Sequence, residues 1–189
     1  MARRHEPGSG PRAAMIDSAV ALIREQGVAA TSFADVLAHS GAPRGSIYHH
    51  FPGGKSQLVE EATRAAADQL GRGVARVLGS GDTVSALRAL VGLWRRGLEA
   101  SGYAAGCPIV AAALGTERGA RQVAGVAFTQ WCESIAASLI EDGVAEERST
   151  ALSVLVVSAL EGALVLAQAQ GTSTPLDAVV DELEVLLRV

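Results

Sequence analysis

The sequence predicts an all-α protein, and three observations carry that prediction. Aromatic residues make up 4% of a chain that is 49% hydrophobic. The interior must therefore be packed mostly with Ala, Val and Leu, which suits helices more than sheets. Apolar residues recur at spacings of three and four along most of the chain, the period of one helix face. No evenly spaced β-branched alternation stands out, and the 6 prolines are scarce. A length of 189 residues is enough for one or two small domains with a sizeable core.

Taken in order, the chain opens on MARRHEPGSGPR, basic but with no apolar run behind it. That predicts a disordered basic arm over residues 1–10 rather than a secretion signal. Helix 1 follows over Pro11–Gln26, with Ile16, Ala19, Val20 and Ile23 on one face and Gly27 as its stop. Helix 2 covers Ser32–His39, with Phe33, Val36 and Leu37 apolar and Thr31 or Ser32 as the hydroxyl N-cap. Gly41 suits a left-handed C-terminal cap, and Pro43 suits the start of a helix rather than its interior. Helix 3 is Arg44–Phe51, with Ile47 and Phe51 at i, i+4. Pro52-Gly53-Gly54 then makes a turn into a long helix 4, from Lys55 or Ser56 to Leu78. Gly71 and Gly73 weaken that helix by up to ~1 kcal/mol each relative to Ala, and a bend is expected there.

Helix 5 covers Thr83–Ala100, with Val84, Leu87, Val91 and Trp94 inward. A break with two glycines leads to Pro108, which opens a short helix 6 ending at Leu114. Helix 7 spans Glu117–Glu141, with Phe128, Trp131, Ile135 and Leu139 in register. Helix 8, Ala145–Gln170, is apolar nearly all round, and a helix apolar on every side is buried on every side. In a chain this small that implies a partner subunit. Its most apolar run, Ala151–Ala167, is interrupted by Glu161 and Gly162 and falls short of the ~20 residues a membrane span needs. Helix 9 starts at Thr174-Pro175-Leu176-Asp177 and runs to about Arg188.

The net charge of −4 conceals an asymmetry. Residues 1–55 carry six basic and four acidic residues and all four histidines; residues 56–189 carry ten basic and sixteen acidic. A basic end on an acidic body points to a polyanion partner at that end. The two cysteines, Cys107 and Cys132, form no CxxC and no Cys/His cluster, so neither a zinc site nor a disulfide framework is expected. Free thiols in a reducing cytoplasm are the plain reading.

Residues 27–58 organise the rest. Two short amphipathic helices joined by a glycine-containing turn describe a helix-turn-helix, whose second helix can enter a DNA major groove. The side chains left over from packing fit that task. Arg makes bidentate contacts to guanine or holds phosphate, Ser and Tyr hydroxyls bond phosphate, and His does either.

The same stretch resembles the N-terminal signature of the TetR family of bacterial repressors. The matching residues are Gly27, Thr31, Gly41, Gly45, Ser46, Ile47, Tyr48, His50, Phe51 and Lys55. The Gly-Gly before the lysine and the segment Gly106-Cys107-Pro108-Ile109 resemble the LmrA/YxaF-like subgroup. One departure is Pro43, where the family usually has Ser or Thr, so a hydroxyl cap and phosphate donor are absent. The resemblance implies a homodimer that binds operator DNA through residues 11–55. It also implies release when a small hydrophobic effector enters a ligand-binding and dimerisation domain, residues 56–189.

On this reading Thr31, Ser32 and Lys55 hold phosphates at helix starts, Tyr48 positions the backbone, and His50 either bonds phosphate or stays within the turn. Arg44 and His49 are the choices for base-edge contact, with Gly45 allowing close approach and Ser46 beside it. Trp94, Tyr103, Phe128 and Trp131 are core aromatics that together can line an apolar cavity, with Gln130 and Glu133 as polar anchors. Leu152, Val156, Leu160, Leu164 and Leu183 are expected at the dimer interface. An enzyme is the competing class, but there is no Ser/His/Asp set, metal cluster or phosphate loop, and no histidine in the body. A passive helical dimer is the third class. No cofactor, metal or membrane partner is expected.

Overall fold

The computed structural model describes residues 10–43 and 45–188. Among them the chain forms nine helices and no strand: α1 Pro11–Ala30, α2 Phe33–Ser40, α3 Ser46–His50, α4 Gly54–Leu78, α5 Thr83–Ala100, α6 Pro108–Leu114, α7 Arg118–Glu141, α8 Glu146–Gln170 and α9 Thr174–Leu187. The all-α prediction holds. Residues 1–9 of the expected basic arm, and Arg44, lie outside the described residues.

The helices sort into two compact units. The first runs through Ala67 and takes in Pro108–Gly125; the second is Asp68–Cys107 with the chain from Val126 onward. The helix-turn-helix unit therefore extends beyond residues 11–55: α6 packs on α1 within it. That approach is close, because a Cβ on Gly115 would lie 3.2 Å from the Val28 side chain.

In the first unit, Met15, Ala19 and Ile23 of α1 are buried, as are Val36, Ile47, Phe51, Leu58, Val59 and Ala62. Regular helical geometry stops at Gly27, as expected, at φ 79°, ψ 171°, and a further short turn carries α1 on to Ala30 across this kink. That conformation is open essentially to glycine alone. It turns the chain so that Val28, one residue later, is again buried. The hydroxyl that caps α2 is Ser32: its side chain accepts from the Asp35 N–H, while the Asp35 side chain accepts from the Ser32 N–H. This is a reciprocal capping box. Gly41 closes α2 in the left-handed conformation, as expected, with its N–H bonded to the Leu37 carbonyl. The third helix is shorter than the span 44–51. Both the N–H and the hydroxyl of Ser46 donate to the Pro43 carbonyl, so Pro43 begins a turn and helical geometry starts at Ser46.

In the second unit, α9 packs on α8 and on α5. Thr83, fully buried at the start of α5, meets the Ser138 hydroxyl of α7 at 2.7 Å and donates its N–H to Asp142 at 2.8 Å. The main apolar core joins Leu87, Val91 and Leu98 of α5, Ile135 and Leu139 of α7, and the inward residues of α8 and α9.

That core corrects the expected dimer contacts. Leu152, Val156, Leu160, Leu164 and Leu183 are all buried among their own chain's residues. They hold the subunit together and are not available to a partner. The apolar side chains α8 presents outward are instead Val154, Leu155, Val165 and Leu166, with Ala151, Ser158, Gly162 and Ala169 also exposed. By length and composition α7 and α8 are apolar enough to cross a membrane, and part of each is buried in the fold.

Candidate nucleic-acid interface

A five-residue helix has few directions to offer. Ile47 of α3 is fully buried, as is Phe51 just after it, and these anchor the helix to its unit. Tyr48 and His49 then face outward, with Tyr48 68% exposed. A large aromatic ring left this open on a helix pinned by two buried neighbours is displayed rather than packed. Its base is still steadied, because Phe33 of α2 meets the Tyr48 ring edge-on at 5.5 Å. The phenol is thereby held at one place on the surface with its hydroxyl end available. His50 is half-buried and its ring stands 5.3 Å from His49.

Lys55, in the first turn of α4, reaches back to the end of α1. Its ammonium donates to the Ala29 carbonyl at 3.1 Å. Asp35 has its carboxyl pKa lowered chiefly by the Ser32 side-chain and backbone hydrogen bonds, with the Lys55 charge adding to them. Lys55 thus stands close to the capped start of α2. Ser32, exposed at that start, Tyr48 and His49 on α3, and Lys55 on α4 belong to one small unit built around α1. Arg12 is committed elsewhere, paired with Glu61 and stacked over the Phe51 ring at 5.2 Å.

Thr31 leaves the expected contact set. It is 2% exposed, and its hydroxyl donates to the Gly27 carbonyl at 2.8 Å, across the kink in α1. Its role is to close that helix. Gly45 and Ser46 remain accessible at the start of α3, although the Ser46 hydroxyl donates to Pro43.

In the second unit, Phe128 and Trp131 meet edge to face at 5.4 Å. Trp94 and Tyr103 pack half-buried against the main core. Tyr103 follows Gly102 in left-handed backbone, φ 65°, rare for a residue with a Cβ. Gln130 and Glu133, expected as polar anchors, are exposed and face away from the interior. The buried acid is Glu161, 8% exposed on α8. Burial pushes its carboxyl up to about 7, opposed by the Cys107 thiol. In the sequence Glu161 reads as a mere interruption of an apolar run. The signal was there, since an acid inside such a run must either leave the core or be used in it. Neither cysteine is in a disulfide.

Comparison with known proteins agrees with this architecture. Residues 15–62 match the model of bacterial regulatory proteins of the tetR family. Residues 83–182 match the C-terminal domain of LmrA/YxaF-like transcriptional regulators. An uncharacterized HTH-type transcriptional regulator of Mycobacterium tuberculosis is 42% identical over 187 residues, covering 94% of each chain. The uncharacterized HTH-type transcriptional regulator YxaF of Bacillus subtilis is 29% identical over 181 residues, covering 94% of this chain and 95% of its own. A TetR transcriptional regulator from Legionella pneumophila has the same fold, with a TM-score of 0.84 over 97% of this chain and 100% of that one at 21% identity. With its capped helix-turn-helix and its separate helical body, the chain belongs to the TetR family of DNA-binding transcriptional regulators, in the LmrA/YxaF-like branch.

Proposed function

We propose that this protein is a ligand-responsive repressor that acts as a homodimer on a near-palindromic operator. The observation that carries the reading is Tyr48, 68% exposed on a helix whose other side is pinned by Ile47 and Phe51. Each subunit lays α3 in a major groove. Tyr48, Ser32, Ser46, His50 and Lys55 hold the phosphate backbone, which sets register and orientation. His49 and Arg44 reach base edges, and Gly45 lets the backbone come close. The two-fold axis of a dimer requires matching half-sites about a helical turn or more apart.

The second copy covers the outward apolar stripe of α8, from Val154 and Leu155 to Val165 and Leu166, beside the exposed Val185 and Leu186 of α9. Such a contact uses the same patch on both subunits. A small hydrophobic effector enters the second unit. The helix α4 carries Lys55 in its first turn and continues into residues of that unit, which makes it the lever between the two events. The effector acts only through its different affinity for the DNA-competent and DNA-released states. This reading makes the protein a cytoplasmic regulator without catalysis, cofactor, metal or membrane partner.

An electrophoretic shift with duplex from upstream of the protein's own gene tests it. A specific shift that a hydrophobic compound reverses is expected. If no specific shift forms even at low salt, the repressor reading fails.

A further inference from the structure

Glu161 is an acid buried on α8 within the second unit. Its sequence neighbours Leu160, Ala163 and Leu164 are buried core residues, and it is itself 8% exposed. Neither carboxyl oxygen meets a hydrogen-bond partner of good geometry. A buried acid with no partner of good geometry beyond a nearby thiol works against folding, and an apolar residue of similar volume in its place is often neutral or stabilising. Fold stability therefore does not account for it.

The surroundings are built with care. The Cys107 thiol acts directly on the carboxyl. Cys107 arrives on a segment laid against α8: the Gln168 side chain donates to the Ala104 carbonyl at 3.0 Å. At Gly106 a Cβ would lie 2.3 Å from the Gln168 side-chain oxygen. Gln168 stands two helical turns beyond Glu161, hence on the same side of α8. Tyr103 belongs to the same segment, and it and Trp94 pack half-buried against the core that α8 completes. A buried acceptor met only by a thiol, on a helix whose neighbouring residues form the apolar core, has the makeup of a small-molecule site: mostly apolar, with a few fixed polar groups.

We propose that Glu161 is the polar anchor of the effector site, and that the effector is an apolar molecule presenting an amine or hydroxyl hydrogen-bond donor to its carboxyl. This deepens the regulator reading and rests on it. The bound donor supplies a stronger partner than the Cys107 thiol, itself a weak donor. Cys107 is covalently joined to Pro108, the first residue of α6, and α6 packs on α1 in the DNA-reading unit. A ligand that moves Cys107 therefore acts on the residue next to that helix.

Three probes on one skeleton test the proposal: naphthylmethylamine, naphthylmethanol and methylnaphthalene, titrated into the full-length protein by calorimetry. The amine and the alcohol are expected to bind at least about tenfold more tightly than the hydrocarbon. Glu161→Leu should abolish that preference while melting no lower than the wild type. Glu161→Gln, which keeps an oxygen acceptor, should retain the preference for the alcohol and lose that for the amine. If Glu161→Leu does not fold, the Glu161→Gln comparison decides. Equal binding of all three probes, no binding of any, or an undiminished preference in the folded variants overturns the assignment. A protein that still shifts its operator under those outcomes keeps the regulator reading and loses only the Glu161 site.

Discussion

At the scale of single residues, neighbours in sequence do opposite work. Ile47 and Phe51 disappear into the first unit, and Tyr48 stands out from it on Phe33. Replacing Tyr48 by Phe together with Lys55 by Ala should weaken binding to all DNA sequences alike. It should also flatten the dependence of log affinity on log salt by about one; an unchanged slope would remove both residues from the phosphate contacts. Ser32→Ala breaks the capping box and should lower stability by about 1 kcal/mol, read as a shift in denaturant midpoint at constant m-value. Glu161 makes a prediction in pH. Its carboxyl is raised to about 7 in the fold from 4.5. Between those values the folded state holds a proton that the unfolded state has released, so stability falls as pH rises through that window and levels off above it. The loss should approach roughly 3 kcal/mol. Denaturation of wild type and Glu161→Gln at pH 5 and pH 8 checks it: the variant should lack most of that decline.

At the scale of elements, α8 shows what periodicity can and cannot tell. Its apolar residues mark a helix with more apolar faces than one core needs, but nothing in their spacing says which face meets the subunit's own core. The structure divides them: Leu152, Val156, Leu160 and Leu164 inward, Val154, Leu155, Val165 and Leu166 outward. Leu160→Ala should therefore cost 2–5 kcal/mol of stability, the range for a cavity in a packed core, without changing the mass that the folded protein shows in sedimentation. Leu166→Glu should convert dimers to folded monomers; a dimer surviving that charge would move the interface elsewhere. Thr31 is harder to read for a related reason. A hydroxyl four residues after a helix-stopping glycine has the marks of a cap for the next helix, and here it braces the kink at Gly27 instead. By contrast Gly41, Ser32 with Asp35, and Pro108 were legible, because caps and helix starts are local chemistry.

At the scale of the whole molecule, the helical class and the DNA-reading stretch follow from patterns a few residues long. What is not legible is which distant segments share a unit. Residues 108–125 join the first unit through the packing of α6 on α1, a contact set by tertiary fit at Gly115 and Val28. Likewise Glu161 and Cys107 are 54 positions apart in the chain and meet only in the fold. On the proposed function, the face around Tyr48 reads a particular DNA sequence. Fluorescence anisotropy on the full-length protein tests it most directly. The ligands are an upstream duplex of the protein's own gene and the same duplex with its bases scrambled, at one physiological salt concentration. The native duplex is expected to bind at least about a thousandfold more tightly. Equal affinity for the two would contradict it.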